Sequence, residues 1–284
     1  MKNKTLFVLC ILIFYPMSAS PIDFTIGGGV DSASYSPNDK GPAGDTFAPE
    51  LLPLYFAEFK GDFAVEYNYG IRAAYDPIWL NTISGNVGYH FGNVNMGLGF
   101  FIGDSDLTFQ ALDAGFSGRA GFEFPGIFFV NAGIASSLDG GSDSAENATR
   151  RLFSAQAGFW LPHIFFTFDF ERRDFIEQPT NTSKISRSRT MYKLSMDIYS
   201  KNTPYRIGLI FGGQSLSRKF EDSSTPEAEV SFDTLIIGMR FFDQVSRTFA
   251  WFVEGEAPFK MDELPNIMIF FRATAGVTFS YNEK

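Results

Sequence analysis

The chain has 284 residues, among them 34 Phe, 27 Gly, two His and a single Cys, and its formal net charge is −9. An acidic balance argues against a nucleic-acid binder, which shows a basic patch or face. One cysteine, Cys10, leaves no intramolecular disulfide and no thiolate metal cluster.

The first element is apolar. Lys2 and Lys4 precede the run Leu6 to Tyr15, followed by Pro16 and the small residues Ser18, Ala19 and Ser20. This order predicts a cleavable secretory signal peptide over 1–20, cut within 18–21. The run is too short for a spanning helix, which needs about 20 apolar residues. Cys10 lies too early for a lipoprotein acceptor, and Leu9 occupies the place of the small residue expected before it. Residues 21–284 are then one domain, and no apolar stretch in them exceeds short blocks such as Ile267 to Phe271. A helical membrane protein is excluded.

Beyond the signal segment the residues alternate. Phe63, Val65, Tyr67, Tyr69, Ile71, Ala73 and Tyr75 interleave with Asp62, Ala64, Glu66, Asn68, Gly70, Arg72 and Ala74. Ile164, Phe166, Phe168 and Phe170 interleave with Phe165, Thr167, Asp169 and Glu171. Tyr192, Leu194, Met196 and Ile198 do so with Lys193, Ser195 and Asp197; Ile269 to Tyr281 close the chain in the same way. Period two over this length predicts strands, one face apolar and the other small or polar.

In chain order the strands are expected near 22–35, 51–60, 62–75, 80–91, 93–103, 110–124, 127–137, 150–161, 164–174, 189–200, 205–216, 230–242, 247–256 and 267–281. Tight turns are expected near Lys60-Gly61, Gly92-Asn93, Pro125-Gly126, Pro162-His163, Asn202–Pro204 and Asp243–Ser246, where most positions carry Gly, Asn, Asp or Pro. Longer polar connections are expected at 36–50, 103–109, 138–149, 175–188, 217–229 and 257–266, with a short exception at Asp76-Pro77. Short turns alternating with long loops are the pattern of outer-membrane barrels. The predicted fold is all-β: a transmembrane antiparallel up-and-down barrel of about fourteen strands, with twelve or sixteen as alternatives. A soluble sandwich competes, but its Phe-rich faces would have to fill one very wide core. A ring of this size is too wide for side chains to fill. Lipid outside and water inside remove the difficulty, and closure pairs every edge.

The whole chain after the signal resembles bacterial outer-membrane porin-like barrels, especially single-chain types such as the outer-membrane protein G type. The likeness is one of architecture. Such barrels end on an aromatic strand that the barrel-assembly machinery reads, and Phe271, Ala273, Ala275, Val277, Phe279 and Tyr281 match it. Asn282-Glu283-Lys284 depart from it by continuing past the aromatic end. The resemblance implies a bacterial outer-membrane location, lipid and the assembly machinery as partners, and a passive channel for small solutes or ions. A non-conducting structural or adhesin barrel with exposed loops is the alternative.

Catalytic chemistry is sparse. His90 and His163 are the only histidines, and both fall near the turn end, away from the outer rim. A serine hydrolase needs a base within hydrogen-bond reach of its nucleophile, and no triad suggests itself. No enzyme, cofactor or metal is expected. Gly97, Gly99 and Gly103 lack dinucleotide-loop spacing and suit a lumen wall better. Asp104-Ser105-Asp106 and Asp139 to Asp143 do not complete a calcium loop. Asn147-Ala148-Thr149 is a glycosylation sequon only in a eukaryotic secretory route. Arg172, Arg173, Lys184, Arg187 and Arg189 bracket an expected loop, as a solvated basic cluster or a contact to lipid phosphates.

Selectivity would rest on the polar face. In this register the lumen carries Asp62, Glu66, Arg72, Asp113, Arg119, Glu123, Asp169, Glu171, Lys193, Asp197, Arg206, Glu254 and Arg272. These charges can pair across strands to hold a polar interior. A charged constriction is the sharper reading.

Overall fold

The computed structural model describes residues 22–34, 50–64, 66–76, 79–104, 112–138, 147–180, 183–200, 204–222, 225–261 and 272–281. The signal segment, Cys10, the residues after Tyr281 and the acidic run Asp139 to Asp143 lie outside them.

Alternating sequence gives fourteen strands. They are β1 (Ile22–Ser34), β2 (Glu50–Ala64), β3 (Tyr67–Asp76), β4 (Leu80–Phe91), β5 (Val94–Asp104), β6 (Leu112–Phe124) and β7 (Phe128–Ser137). Then come β8 (Asn147–Trp160), β9 (Ile164–Thr180), β10 (Ser183–Tyr199), β11 (Tyr205–Asp222), β12 (Thr225–Asp243), β13 (Phe249–Met261) and β14 (Arg272–Tyr281). Each pairs antiparallel with its chain neighbours, and β1 pairs with β14, from Ile22 opposite Tyr281 to Asp31 opposite Arg272. The sheet is a closed barrel. Closure leaves no edge strand to satisfy in lipid.

The outer face is apolar. On β5, Val94, Met96, Leu98, Phe100 and Ile102 are all exposed, Leu98 at 77%. Their neighbours on β6 and β7 continue the band through Phe116, Phe122, Val130 and Ile134. Aromatic pairs tie adjacent strands on this face, as Phe159 with Phe166 (ring centroids 4.9 Å apart) and Tyr67 with Tyr89 (4.8 Å). Such a surface is stable against hydrocarbon and would aggregate in water. At Gly61 the absent side chain has a purpose: a Cβ there would lie 2.5 Å from the Tyr69 hydroxyl, so the ring lies flat across the neighbouring strand. Tight turns bend at Gly92 and Gly126, with φ of 58° and 75°, a region that favours glycine.

Three expectations need correction. The first hairpin turns between Ala64 and Tyr67, not at Lys60-Gly61, so Lys60 and Gly61 stay in the ladder. The turn absorbs two residues, so the inside–outside parity of Asp62, Asn68 and Arg72 survives, but Glu66 sits in the turn rather than on the wall. Expected loops 175–188 and 217–229 are mostly strand, because β9 reaches Thr180, β10 starts at Ser183, β11 reaches Asp222 and β12 starts at Thr225. Beyond the bilayer a strand meets water on both faces, so polar residues there do not signal a loop. β14 is described from Arg272 onward, and Ile267 to Phe271, expected to open it, lie outside the described residues.

The tight turns and the first and last strand ends gather at one end of the barrel; the connections after β1, β3, β5, β7, β9, β11 and β13 lie at the other.

Candidate functional site

Inward parity is set by the outward aromatics. With Phe166, Phe168 and Phe170 outside, Phe165, Thr167, Asp169, Glu171 and Arg173 point inward. One line of paired residues shows the result: Asn95, Gly121, Asn131, Gln156, Asp169 and Lys193 stand opposite one another from β5 to β10. Their side chains join along it, Asn95 Nδ2 donating to Asn131 Oδ1 (3.4 Å) and Gln156 Nε2 to Asp169 Oδ1 (2.6 Å).

Inside lies a cavity of about 980 Å³, bordered among others by Asp23, Asp62, Asn86, Arg119, Asp169 and Glu254. Arg119 lies flat on its wall because Gly97 and Gly88 leave room; a Cβ at Gly97 would sit 2.6 Å from Arg119 Nε. Its Nη2 donates to Asn68 Oδ1 (2.8 Å), while Asn68 Nδ2 approaches His90 Nε2 at 2.7 Å. Gly97 therefore serves the lumen wall, as its sequence context suggests.

Roughly ten residues, or about 33 Å of strand, from the turn end, side chains cross the lumen. Arg189 on β10 donates to Asp31 on β1 (2.8 Å), and also to Gln214 (3.1 Å). Arg173 on β9 pairs with Asp76 on β3 (2.6 Å) and with its own strand's Glu171 (2.7 Å). Arg150 pairs with Asp113 and donates from Nε to the Trp79 carbonyl (2.9 Å). Trp79, just before β4, is turned inward: its backbone N–H donates to Asp76 (2.8 Å), and its ring packs 5.4 Å from Phe101. Phe175 is fully buried between the guanidinium groups of Arg150 (4.8 Å) and Arg187 (5.5 Å). Arg150, Arg187, Ile185 and Leu216 are likewise at most 3% exposed. This layer separates the cavity from the loop end. Ions so buried need partners, and here bonds from opposite walls supply them.

Nearer mid-lumen, Lys193 pairs with Glu256 and lies 3.9 Å from Glu254. Arg240 Nε donates to Asp197 (2.6 Å). Arg72 stacks on Phe56 at 4.9 Å, and Phe56 on Phe252 at 6.4 Å.

The sequence-predicted residues therefore divide. Asp62, Arg119, Asp169, Glu171, Lys193 and Glu254 border the cavity. Asp113, Asp197, Arg72 and Arg272 point inward from their strands, Asp113 within the cross-lumen layer. Glu123 and Arg206 stand inward close to the turn end, Arg206 over Tyr199 (5.9 Å) and Phe242 (5.7 Å). Glu66 joins neither group. Sequence reasoning missed Asp31, Trp79, Arg150, Arg240 and Glu256, set Arg173 and Arg189 at the two edges of an expected loop, and placed Arg187 within it. Their signal was available: Arg187 and Arg189 keep the parity of Lys193 and Asp197. Only Arg172 and Lys184 of that basic group face outward, beside Asp174 (3.2 Å) and Glu221 (3.9 Å). Among the described residues no group of three or more His, Cys, Asp or Glu is arranged to hold a metal ion.

No protein-family description matches the sequence, and no curated protein matches it. Solved structures do. The CymD monoaromatic hydrocarbon channel superposes with a TM-score of 0.50 at 8% identity, over 96% of this chain and 92% of that one. An outer-membrane channel from Pseudomonas putida F1 gives 0.49 at 8% identity, over 93% and 95%. An anion-selective porin from Comamonas acidovorans gives 0.44 at 10% identity, over 93% and 99%. Together with the closed ring, the first of these likenesses makes the fold that of a porin-like outer-membrane β-barrel.

Proposed function

We propose that this protein is a bacterial outer-membrane channel, exported by the segment 1–20, through which small polar solutes or ions pass passively. One observation carries the reading: a polar, charged cavity of about 980 Å³ inside a closed ring whose outer face is apolar. A barrel that only displayed loops would have no use for a wet interior at bilayer depth. The cross-lumen layer is the narrow part of the path and makes the resting conductance small. Its charges, not those of the wider cavity, meet a permeating ion at shortest range. The protein is read as a non-enzymatic barrel, since His90 is engaged by Asn68 and His163 lies in the turn after β8.

The test is reconstitution of the purified barrel in planar bilayers. Discrete conductance steps are expected, and they should grow when Trp79 or Arg189 is shortened. A barrel that stays silent in all three forms would be a scaffold. Extraction only by detergent and heat-modifiable gel migration should accompany the steps; recovery as a soluble periplasmic monomer would remove the membrane reading.

A further inference from the structure

Inside the barrel Arg150, Arg173, Arg189 and Arg240 each pair with a carboxylate. Arg119 does not. Among the described residues its polar partner is an amide, Asn68. Asn68 on β3, Gly88 on β4, Gly97 on β5 and Arg119 on β6 stand opposite one another in one line across the wall. The arginine side chain lies along that line. It crosses Gly97 and Gly88, where a Cβ would fall 2.6 Å from its Nε and 2.8 Å from its Nη2, and its tip reaches Asn68 Oδ1. Bare backbone is the floor, and Arg119 stays exposed to the cavity above it. Of the five N–H donors of a guanidinium, Asn68 engages one.

The surroundings are mostly amides. Two residues along β4 from Gly88, about 7 Å either way, stand Asn86 and His90, and two residues along β5 from Gly97 stands Asn95. All three border the same cavity as Arg119 and Asn68. Asn68 is held from both sides, its Oδ1 facing Arg119 (2.8 Å) and its Nδ2 facing His90 Nε2 (2.7 Å). The guanidinium is therefore fixed in place without its charge being cancelled. Asp62 stands beyond Asn68, opposite it on β2. A positive fork open to a wet cavity matches the two oxygens of a carboxylate. The amides beside it donate to and accept from any hydroxyl the solute carries. A dianion such as phosphate would be repelled more strongly by Asp62 and the other cavity acids, and chloride gains nothing from the shape of the fork.

We infer that Arg119, with Asn68, Asn86 and Asn95 around it, is a subsite for the carboxylate of a small organic monoanion such as a hydroxy acid. This rests on reading the interior as a water-filled solute path, and names a solute class for it. The cavity acids keep the hold weak, as passage requires, because a solute that enters a site on the path has to leave it again.

The test uses the barrel folded in detergent micelles. Phenylglyoxal, which modifies accessible guanidinium groups, is applied with and without L-lactate, and the modified peptides are read by mass spectrometry. Lactate should protect Arg119 and leave Arg172, exposed on the outer wall, as reactive as before. Lactamide, which has the shape without the charge, and chloride at equal ionic strength should protect neither. Saturation-transfer NMR on the lactate methyl group is the second readout: Arg119→Gln should weaken binding about ten- to a hundredfold, the loss expected for a hydrogen bond to a charged group. The protection assay uses the unaltered chain, so it decides the matter if that variant does not fold. No protection of Arg119, equal protection by phosphate, lactamide or chloride, or a lactate signal undiminished in Arg119→Gln overturns the inference. Micelles require no conduction, so the two readings fail separately. A conducting barrel blind to lactate keeps the channel and loses the subsite; a silent barrel whose Arg119 lactate protects does the reverse.

Discussion

Arg189 and Asp31 hold opposite walls of the barrel together: their 2.8 Å ion pair joins β10 to β1, strands with four others between them around the ring. Asp31 is 1% exposed, and Arg189 is buried almost as fully. A pair at that depth, far apart in sequence and in the ring, couples the lumen's contents to the barrel's cross-section. Removing one member leaves the other charge buried, at a cost of about 3–5 kcal/mol. Asp31→Ala should therefore lower the unfolding midpoint sharply, while Asp31→Ala with Arg189→Leu should recover much of it. Urea unfolding in detergent checks this; equal loss in the single and double variants would mean the pair is not the cause.

Trp79 is the second support of the layer. Trp79→Ala removes a ring packed on Phe101 and lying 5.8 Å from the Arg173 guanidinium, at a stability cost of about 3–5 kcal/mol if the site collapses poorly. Single-channel conductance should rise in the same variant, because the deleted side chain stands in the path. Unchanged conductance would place the narrow point elsewhere.

Facing can be tested by neighbours. Ala155 points to lipid and Gln156 to the cavity, one residue apart on β8. Ala155→Arg should cost about 2–4 kcal/mol near the midplane, and Gln156→Arg much less. Equal destabilisation would show the two faces to be exchanged.

Ion preference derives from the cavity wall. Its acids Asp23, Glu58, Asp62, Asp169, Glu171 and Glu254 outnumber the bases Lys60, Arg119, Lys193 and Arg240. A net negative wall concentrates cations, and salt weakens the effect as the Debye length falls below about 10 Å. Reversal potentials under a KCl gradient should show mild cation preference at low salt, reduced by Asp169→Asn with Glu254→Gln. Glu66→Gln should change little, because Glu66 sits in a turn. Anion preference would mean that the arginines of the cross-lumen layer dominate.

Much of this was legible in the residues. The strand count, the closed antiparallel ring and the inward set from Asp62 to Arg272, Glu66 excepted, derive from period two, because a one-residue error would turn every side chain to the wrong face. What the sequence hides is length. Ser186, Ser188, Ser215 and Ser217 carry no apolar signal, yet they continue β10 and β11, and Ser188 bonds Ser217 at 2.8 Å. The turn at Ala64–Tyr67 was hidden for the opposite reason: two residues of turn preserve parity, so the pattern runs through it without a break. Cross-lumen partners such as Arg173 and Asp76 are invisible to any local reading, since only barrel curvature brings them together.

The strands are unequal in height. β12 has 19 residues and β11 has 18, against 10 each in β3 and β7. At about 3.3 Å per residue the difference amounts to roughly 26–30 Å of ladder. Neighbouring strands are joined by tight turns at the turn end, so the surplus of β9 to β12 extends the ladder at the loop end, along one side of the rim. Backbone pairing runs up to Thr180 opposite Ser183 and to Asp222 opposite Thr225. If the proposed outer-membrane orientation holds, an epitope inserted after Thr180 or after Asp222 would be carried on these paired strands, and surface labelling of intact cells would read it.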